Sequence, residues 1–309
     1  MNFNEKSFLL SLYSFNEELT DNKKIKKLYI MSNNITKYYS SFIIKKRNGK
    51  DRKILCPYIE LKKIQTNILN NLLYDKRASK YAKAYVKNVS LKDNVCVHSG
   101  YKYILKLDIC NFFENVFYVD VFNVFKEYGF SDRLCGLLAH LTTYDDYLPQ
   151  GAPTSPYLSN LVLRDFDYIV GKWCKDNNIN YTRYSDDMTF SMNEYNKELI
   201  RFIRVNLYKY GLRINNDKIC LVNNSSKQKI TGIVVNDKVQ ADSAYRKKIR
   251  QEVYYINKYG IYEHLNRINV SNKDDYLSSL YGKILFVLSI DSNNKEFIKY
   301  RDFIKSIRG

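Results

Sequence analysis

Asn180-Tyr181-Thr182-Arg183-Tyr184-Ser185-Asp186-Asp187-Met188-Thr189-Phe190-Ser191-Met192 sets two adjacent carboxylates inside an alternating stretch. Alternation on both sides of the acids gives it the form of a β-hairpin with Asp186 and Asp187 at the tip. Along the first arm Thr182, Tyr184 and Asp186 share one face, and Arg183, Ser185 and Asp187 the other. At the turn the alternation relaxes, so both acids approach a common site. Asp108 ends an apolar strand pattern running from Tyr103 to Ile109 and meets them from an adjacent strand. Three carboxylates brought together repel one another, whereas two Mg²⁺ ions neutralise them and bridge incoming phosphates.

The rest of the chain suits a polyanionic partner. Lys and Arg number 50 against 32 Asp and Glu, a formal charge of +18, which favours nucleic acid. A basic protein with an acidic metal site points to chemistry on nucleic acid, most specifically templated polymerisation. With 309 residues the chain forms one large or two modest domains, and 45% hydrophobic content excludes a disordered basic tail. The 29 tyrosines fit base stacking, but a chain this rich in Asn, Ile and Lys also owes them to biased genome composition. Cysteines stand singly at 56, 96, 110, 135, 174 and 220, and with three histidines they argue against a structural zinc site. They read as reduced, mostly core thiols of a cytoplasmic protein. No apolar run has the length of a membrane span, and none follows the first residues as a signal peptide requires.

Outward from the acids, Tyr39 to Ile44 and Arg52 to Leu55 read as strands joined through Asn48-Gly49, a hairpin turn. Its tip projects Lys45, Lys46 and Arg52, which as a charged turn alone is equally a solvated surface. Leu61, Ile64, Ile68 and Leu72 recur at helical spacing. Ser131 reads as the N-cap of a helix whose apolar face is Leu134, Leu137, Leu138 and Leu141. Ser155-Pro156 reads as an N-cap with proline at the first helical position, and Leu158, Leu161, Val162, Ile169 and Trp173 continue inward. A helix near Lys197 to Tyr210 stops at Gly211; Leu212 to Ile214 and Ile230 to Val235 are short strands. From Ala244 the pattern is mostly helical. Between Leu148 and Pro156, small residues and the Gln150 amide precede a helix and let a base pair or phosphate approach Gly151 backbone.

These motifs, in this order, resemble the reverse transcriptases of bacterial retrons, from the basic ribbon near Lys45 through the C-terminal helical region. The acidic strand corresponds to Leu107-Asp108-Ile109 with Asn111-Phe112-Phe113, the substrate loop to Leu148 through Pro156, and the catalytic hairpin to Tyr184-Ser185-Asp186-Asp187. Asn94 to His98 is similar to a retron Asn-Ala-x-x-His element with Val95 in place of alanine, and Ile230-Thr231-Gly232 to a Val-Thr-Gly element with Ile230 in place of valine. Asn111 stands where the family often has an acid; the triphosphate contact implied there is made through backbone.

The resemblance implies an α+β right-hand polymerase. Residues 1–100 would be mainly fingers with an N-terminal helical extension, 101–239 mainly palm with a fingers insertion near 127–150, and 240–309 a thumb. Asp108, Asp186, Asp187 and the Ile109 carbonyl would bind two Mg²⁺ ions, with Mn²⁺ as a substitute. Arg52, with Lys45 or Lys46, would clamp triphosphate; Gln150 and Gly151 would lie by the incoming nucleotide. Phe113 would gate against a ribose 2′-hydroxyl, Tyr184 would support the primer terminus, and Lys218 would protonate pyrophosphate. Asn94 and His98 are implied in RNA recognition or scaffold geometry. Thr231 and Gly232 would contact template-primer, and Arg246, Lys247, Lys248 and Arg250 would track its backbone. The implied activity is reverse transcription of a structured non-coding RNA into branched RNA–DNA (msDNA) from a guanosine 2′-hydroxyl, consuming dNTPs, in anti-phage defence with a separate effector protein and no membrane. The alternatives are a defence reverse transcriptase without retron RNA, or an msDNA-binding scaffold in a toxin–antitoxin complex.

Overall fold

The computed structural model describes residues 4–15, 18–45, 49 and 51–308. Lys46 and Asn48 lie outside the described residues. The chain divides into two compact units: Met1–Val89, Lys106–Thr189 and Asn196–Cys220 form the first, and Ser90–Leu105, Phe190–Tyr195 and Leu221–Gly309 the second. Helices and strands are mixed along the chain, as an α+β architecture requires.

β1 (Tyr39–Lys45) and β2 (Asp51–Pro57) pair antiparallel, with Tyr39 opposite Pro57 and Lys45 opposite Asp51. Beyond Tyr39 every residue of β1 is exposed, so this ribbon is held at its base only. Four strands, β3 (Tyr103–Asp108), β4 (Asn180–Tyr184), β5 (Asp187–Met192) and β6 (Cys220–Asn223), form a sheet ordered β4-β5-β3-β6. That order lays the strand ending in Asp108 beside the strand beginning at Asp187. β7 (Lys229–Ile230), β8 (Ile233–Val234) and β9 (Gln240–Ala241) make a small antiparallel sheet in the second unit.

In the first unit, helix Ile59–Asn71 buries Leu61, Ile64 and Ile68, one stripe at helical spacing. Gln65 on the same face is buried and donates to Tyr39 Oη (2.7 Å) and the Leu141 carbonyl (2.9 Å). Helix Asp132–Thr142 is capped by Ser131, whose Oγ accepts from the Leu134 amide at 3.3 Å. Helix Leu199–Tyr208 ends as its glycine implies: Gly211 has φ +68, and the Leu212 amide reaches back 3.1 Å to the Leu207 carbonyl.

Five local expectations are corrected. Ser155 is the first residue of helix Ser155–Val162 and not its cap; Thr154, with α-region backbone, precedes it without a side-chain cap bond. The helix does not continue through Ile169: it breaks at Leu163 (ψ 10) and restarts as Arg164–Asp176, burying Phe166, Asp167 and Val170 and turning Ile169 outward. Leu212 to Ile214 forms only a bridge from Ile214 to Ile109. Ile230 to Val235 is split by Thr231 (φ 46) and Gly232 (φ 87), whose left-handed backbones make a turn. Among the six free cysteines only Cys135 and Cys174 are buried.

The second unit packs helices Ser243–Tyr259, Lys273–Ile290 and Lys295–Arg308 around Ile249, Val253, Leu277, Ile284, Phe297 and Ile304. Among the described residues no helix is long and apolar enough to cross a membrane.

Candidate active site

Two residues, Ser185 and Asp186, join β4 to β5, and Ser185 is left-handed (φ 62). A non-glycine residue there is held by its surroundings. Beneath the turn Arg183 is fully buried. Its Nε and Nη2 donate to the two carboxylate oxygens of Asp167 (2.8 and 2.7 Å), and Nη1 donates to the Ser185 carbonyl (3.0 Å) and Asn160 Oδ1 (3.2 Å). Tyr181 Oη donates to Asp167 as well (2.8 Å). Burial works against the Arg183 charge, and Asp167 more than offsets it, leaving the guanidinium above its ordinary pKa. The guanidinium fork thus anchors this turn to helix Arg164–Asp176.

Backbone bonds carry Asp108 to this turn. The Ile109 amide donates to the Asp186 carbonyl (3.0 Å), the Asn215 amide to the Asp108 carbonyl (2.8 Å), and the Cys110 amide to the Arg213 carbonyl (2.9 Å). The Ile109 carbonyl takes no part in this set. Asp108 is nearly buried, and its Oδ2 accepts from Lys218 Nζ at 2.8 Å, while Lys218 is otherwise half exposed. That hydrogen bond, first, and the three aspartate charges raise the Lys218 pKa against its partial burial. Burial raises Asp186, with Asp108 adding to it. Asp187 is pushed up to about 6 by burial and then by the charges of Asp186 and Asp108; its side chain opens to solvent, but the protein around its base desolvates it. The three carboxylates therefore share one repulsive field, although among the described residues no group of three His, Cys, Asp or Glu is gathered tightly enough to hold an ion as it stands.

The loop of residues 148–156 meets the β1–β2 ribbon. The Leu55 amide donates to the Gln150 carbonyl at 2.8 Å. Gly151 has φ +126, and a Cβ there would lie 2.5 Å from the Leu55 carbonyl oxygen. Only glycine lets the loop run this close to β2. Gly151→Ala is expected to lower stability by about 1–3 kcal/mol and to raise the nucleotide KM, read by urea unfolding and steady-state incorporation; unchanged values in both would remove the requirement. Arg52 is exposed on β2, whereas Lys45 is engaged by Asp51 at 2.6 Å. Lys46 lies outside the described residues. Phe113 is half-buried against buried Phe112, their ring centres 5.4 Å apart, just after left-handed Asn111 (φ 44). Tyr184, at the end of β4, is half-buried.

The remaining candidates belong to the second unit. Asn94 and His98 are buried, and His98 Nδ1 lies 2.8 Å from Ser191 Oγ. Both side chains are enclosed by the protein rather than open to solvent. Thr231 and Gly232 sit at the β7–β8 turn, Gly232 exposed. The cationic group from Arg246 to Arg250 divides by helical period. Arg246 donates to the Ala241 carbonyl and Gln240, Arg250 makes a two-pronged pair with Glu296 (2.6 Å each), and Lys247 and Lys248 are exposed. A phosphate contact by Arg246 or Arg250 would have to compete with those partners.

Arg183, Asp167 and Tyr85, whose Oη donates to Ser185 Oγ at 3.1 Å, carry no sequence signal of their own. An arginine within an otherwise core-like strand was the one available hint.

Residues 44–235 match the family model described as reverse transcriptase (RNA-dependent DNA polymerase). The chain is 30% identical over 268 residues to the retron Ec86 reverse transcriptase of Escherichia coli, covering 85% of this chain and 80% of that protein. It is 30% identical over 215 residues to the retron Ec83 reverse transcriptase of the same organism, covering 65% and 69%. To the retron Mx65 reverse transcriptase of Myxococcus xanthus it is 28% identical over 234 residues, covering 69% and 55%.

Proposed function

Because the chain belongs to the retron reverse transcriptases of the RNA-dependent DNA polymerase family, we propose that Asp108, Asp186 and Asp187 are its catalytic carboxylates and that a structured non-coding RNA is its template. The protein is an RNA-directed DNA polymerase. The single observation supporting the site is the Ile109 amide bond to the Asp186 carbonyl, which puts the carboxylates of two sequence-distant motifs into one field.

The family uses divalent ions, and this donor set suits them. Hard carboxylate oxygens favour Mg²⁺ or Mn²⁺, and the mutual repulsion that raises Asp186 and Asp187 is what divalent charge relieves. Asp108, Asp186, Asp187 and the Ile109 carbonyl would hold two ions. Bound Mg²⁺ would supply acidification of the primer hydroxyl and neutralisation of triphosphate charge.

The chain's own groups then position and shield. Arg52 faces solvent with no carboxylate partner among the described ion pairs, and its planar fork suits the triphosphate; Lys45 would join after release from Asp51. Gly151 lets backbone approach the incoming dNTP and Gln150 packs beside it. Phe113 excludes a 2′-hydroxyl by volume, and Tyr184 supports the primer end. Lys218, held protonated at Asp108 Oδ2, has a proton to give departing pyrophosphate. Thr231, Gly232, Lys247 and Lys248 would meet the template-primer. In this reading the β1–β2 ribbon and N-terminal helices are fingers, 101–239 the palm with an insertion near 127–150, and 240–309 the thumb.

Priming from a guanosine 2′-hydroxyl, giving branched msDNA for anti-phage defence with a separate effector, is the finer form of the proposal. Nucleic acid co-purified with the intact protein tests it through the 5′ junction of the cDNA. A 2′–5′ branch on a co-encoded RNA is the expected result; linear DNA alone would overturn retron priming while leaving the polymerase.

A further inference from the structure

Tyr85 and Ser185 both have left-handed backbones, φ 63 and 62, in a region that bulky side chains rarely adopt. The segment before Tyr85 is stitched alongside β4. The Arg183 amide donates to the Tyr81 carbonyl and the Lys83 amide to the Arg183 carbonyl, each at 2.8 Å. Asn160 Nδ2, from the helix beneath, donates to the Ala84 carbonyl at 2.8 Å. These bonds deliver the Tyr85 side chain to the catalytic turn, where its Oη lies 3.1 Å from Ser185 Oγ.

A serine hydroxyl has one proton and two lone pairs. Tyr85 remains a donor at neutral pH, because burial holds its phenol above the ordinary tyrosine range. Ser185 is the neighbour of Asp186 in the two-residue turn between β4 and β5, so the phenol grips the turn one residue from that carboxylate. Ser185 is thus held twice, by the phenol at Oγ and by the Arg183 guanidinium at its carbonyl (3.0 Å). The Tyr85 ring is 44% exposed, so apolar burial alone does not account for a strained backbone that brings the phenol here.

We propose that Tyr85 is a positioning residue for DNA synthesis: its hydrogen bond to Ser185 holds in place the turn that carries Asp186. This rests on the placement of Asp186 in the catalytic site. Removing the phenol hydroxyl releases the Ser185 side chain, and the turn that carries Asp186 loses one of its holds. The reaction then slows in its chemical step, while the substrate's own contacts are untouched.

Tyr85→Phe, Ser185→Ala and the double variant, assayed in single-nucleotide incorporation, test the proposal. Each single substitution is expected to lower kcat about tenfold with the dNTP KM unchanged, and the double to be no slower than either single. Independently of activity, amide hydrogen exchange in residues 180–189 should quicken in Tyr85→Phe while the unfolding midpoint stays put. Wild-type kcat in Tyr85→Phe, losses that multiply in the double, or a raised KM at constant kcat would each overturn it. Asp186→Asn in the same assay separates the two readings. If that variant is inactive and Tyr85→Phe is normal, only this inference fails; if it still synthesises DNA, the site assignment fails with it.

Discussion

Asp186→Asn should all but stop DNA synthesis, lowering incorporation by about 10²–10³-fold, while the protein still folds and still co-purifies with RNA. The side chain changes by one charge and almost no volume, and the bond from the Ile109 amide survives because it goes to the backbone carbonyl of Asp186. What is lost is one of the three carboxylates that, in the proposed site, would neutralise cations at the reacting phosphates. Electrostatic stabilisation of that kind is worth about 3–4 kcal/mol at the transition state, and each 1.4 kcal/mol is roughly tenfold in rate. Burial and the charge of Asp108 make ionised Asp186 costly in the protein alone, so the amide should leave the unfolding midpoint unchanged or raise it. Loss of activity together with a lowered midpoint would point to misfolding instead. Synthesis equal to wild type would sink the metal assignment.

Arg183→Met should cost about 3–5 kcal/mol of stability in the first unit, the range for removing one partner of a buried ion pair. Asp167 would remain a fully buried carboxylate with only Tyr181 Oη as donor from this network, and the Ser185 carbonyl would lose its guanidinium. Pairing the change with Asp167→Leu removes the stranded charge and should restore much of the stability, since apolar replacement of a whole buried pair is often neutral. It should not restore synthesis, because nothing then donates to the Ser185 carbonyl from below. Urea unfolding and incorporation measured on both variants separate the two effects. A double variant regaining full activity would show that the network supports only the fold.

The β4–β5 hairpin, the strand that ends in Asp108 and the Gln150-Gly151 loop were legible because each is a short local pattern whose order along the chain is informative. The helix capped at Ser131 and the glycine stop at Gly211 were legible for the same reason: caps and left-handed turns are decided by neighbours in sequence. Burial was less legible. In β4 and β5 nearly every residue between the ends is buried, since this part of the sheet is covered on both faces. Alternation therefore did not tell which of Thr182 and Arg183 faces solvent; neither does. The basic group from Arg246 to Arg250 read as one stripe, but a helix turns 100° per residue, and Arg246 and Arg250 fall where internal partners take them.

The sequence by itself determined the reaction class: two acidic motifs, a small-residue loop and a basic ribbon, in a fixed order, identify a reverse transcriptase whatever the details of packing. Only the tertiary structure decided how the catalytic turn is held. Arg183 from below, Tyr85 from the side and the Ile109 amide across the sheet reach Ser185 and Asp186 from segments up to 100 residues away. Such contacts depend on the geometry of the folded chain, and a hydrogen bond between distant segments leaves no period in the sequence from which to read it.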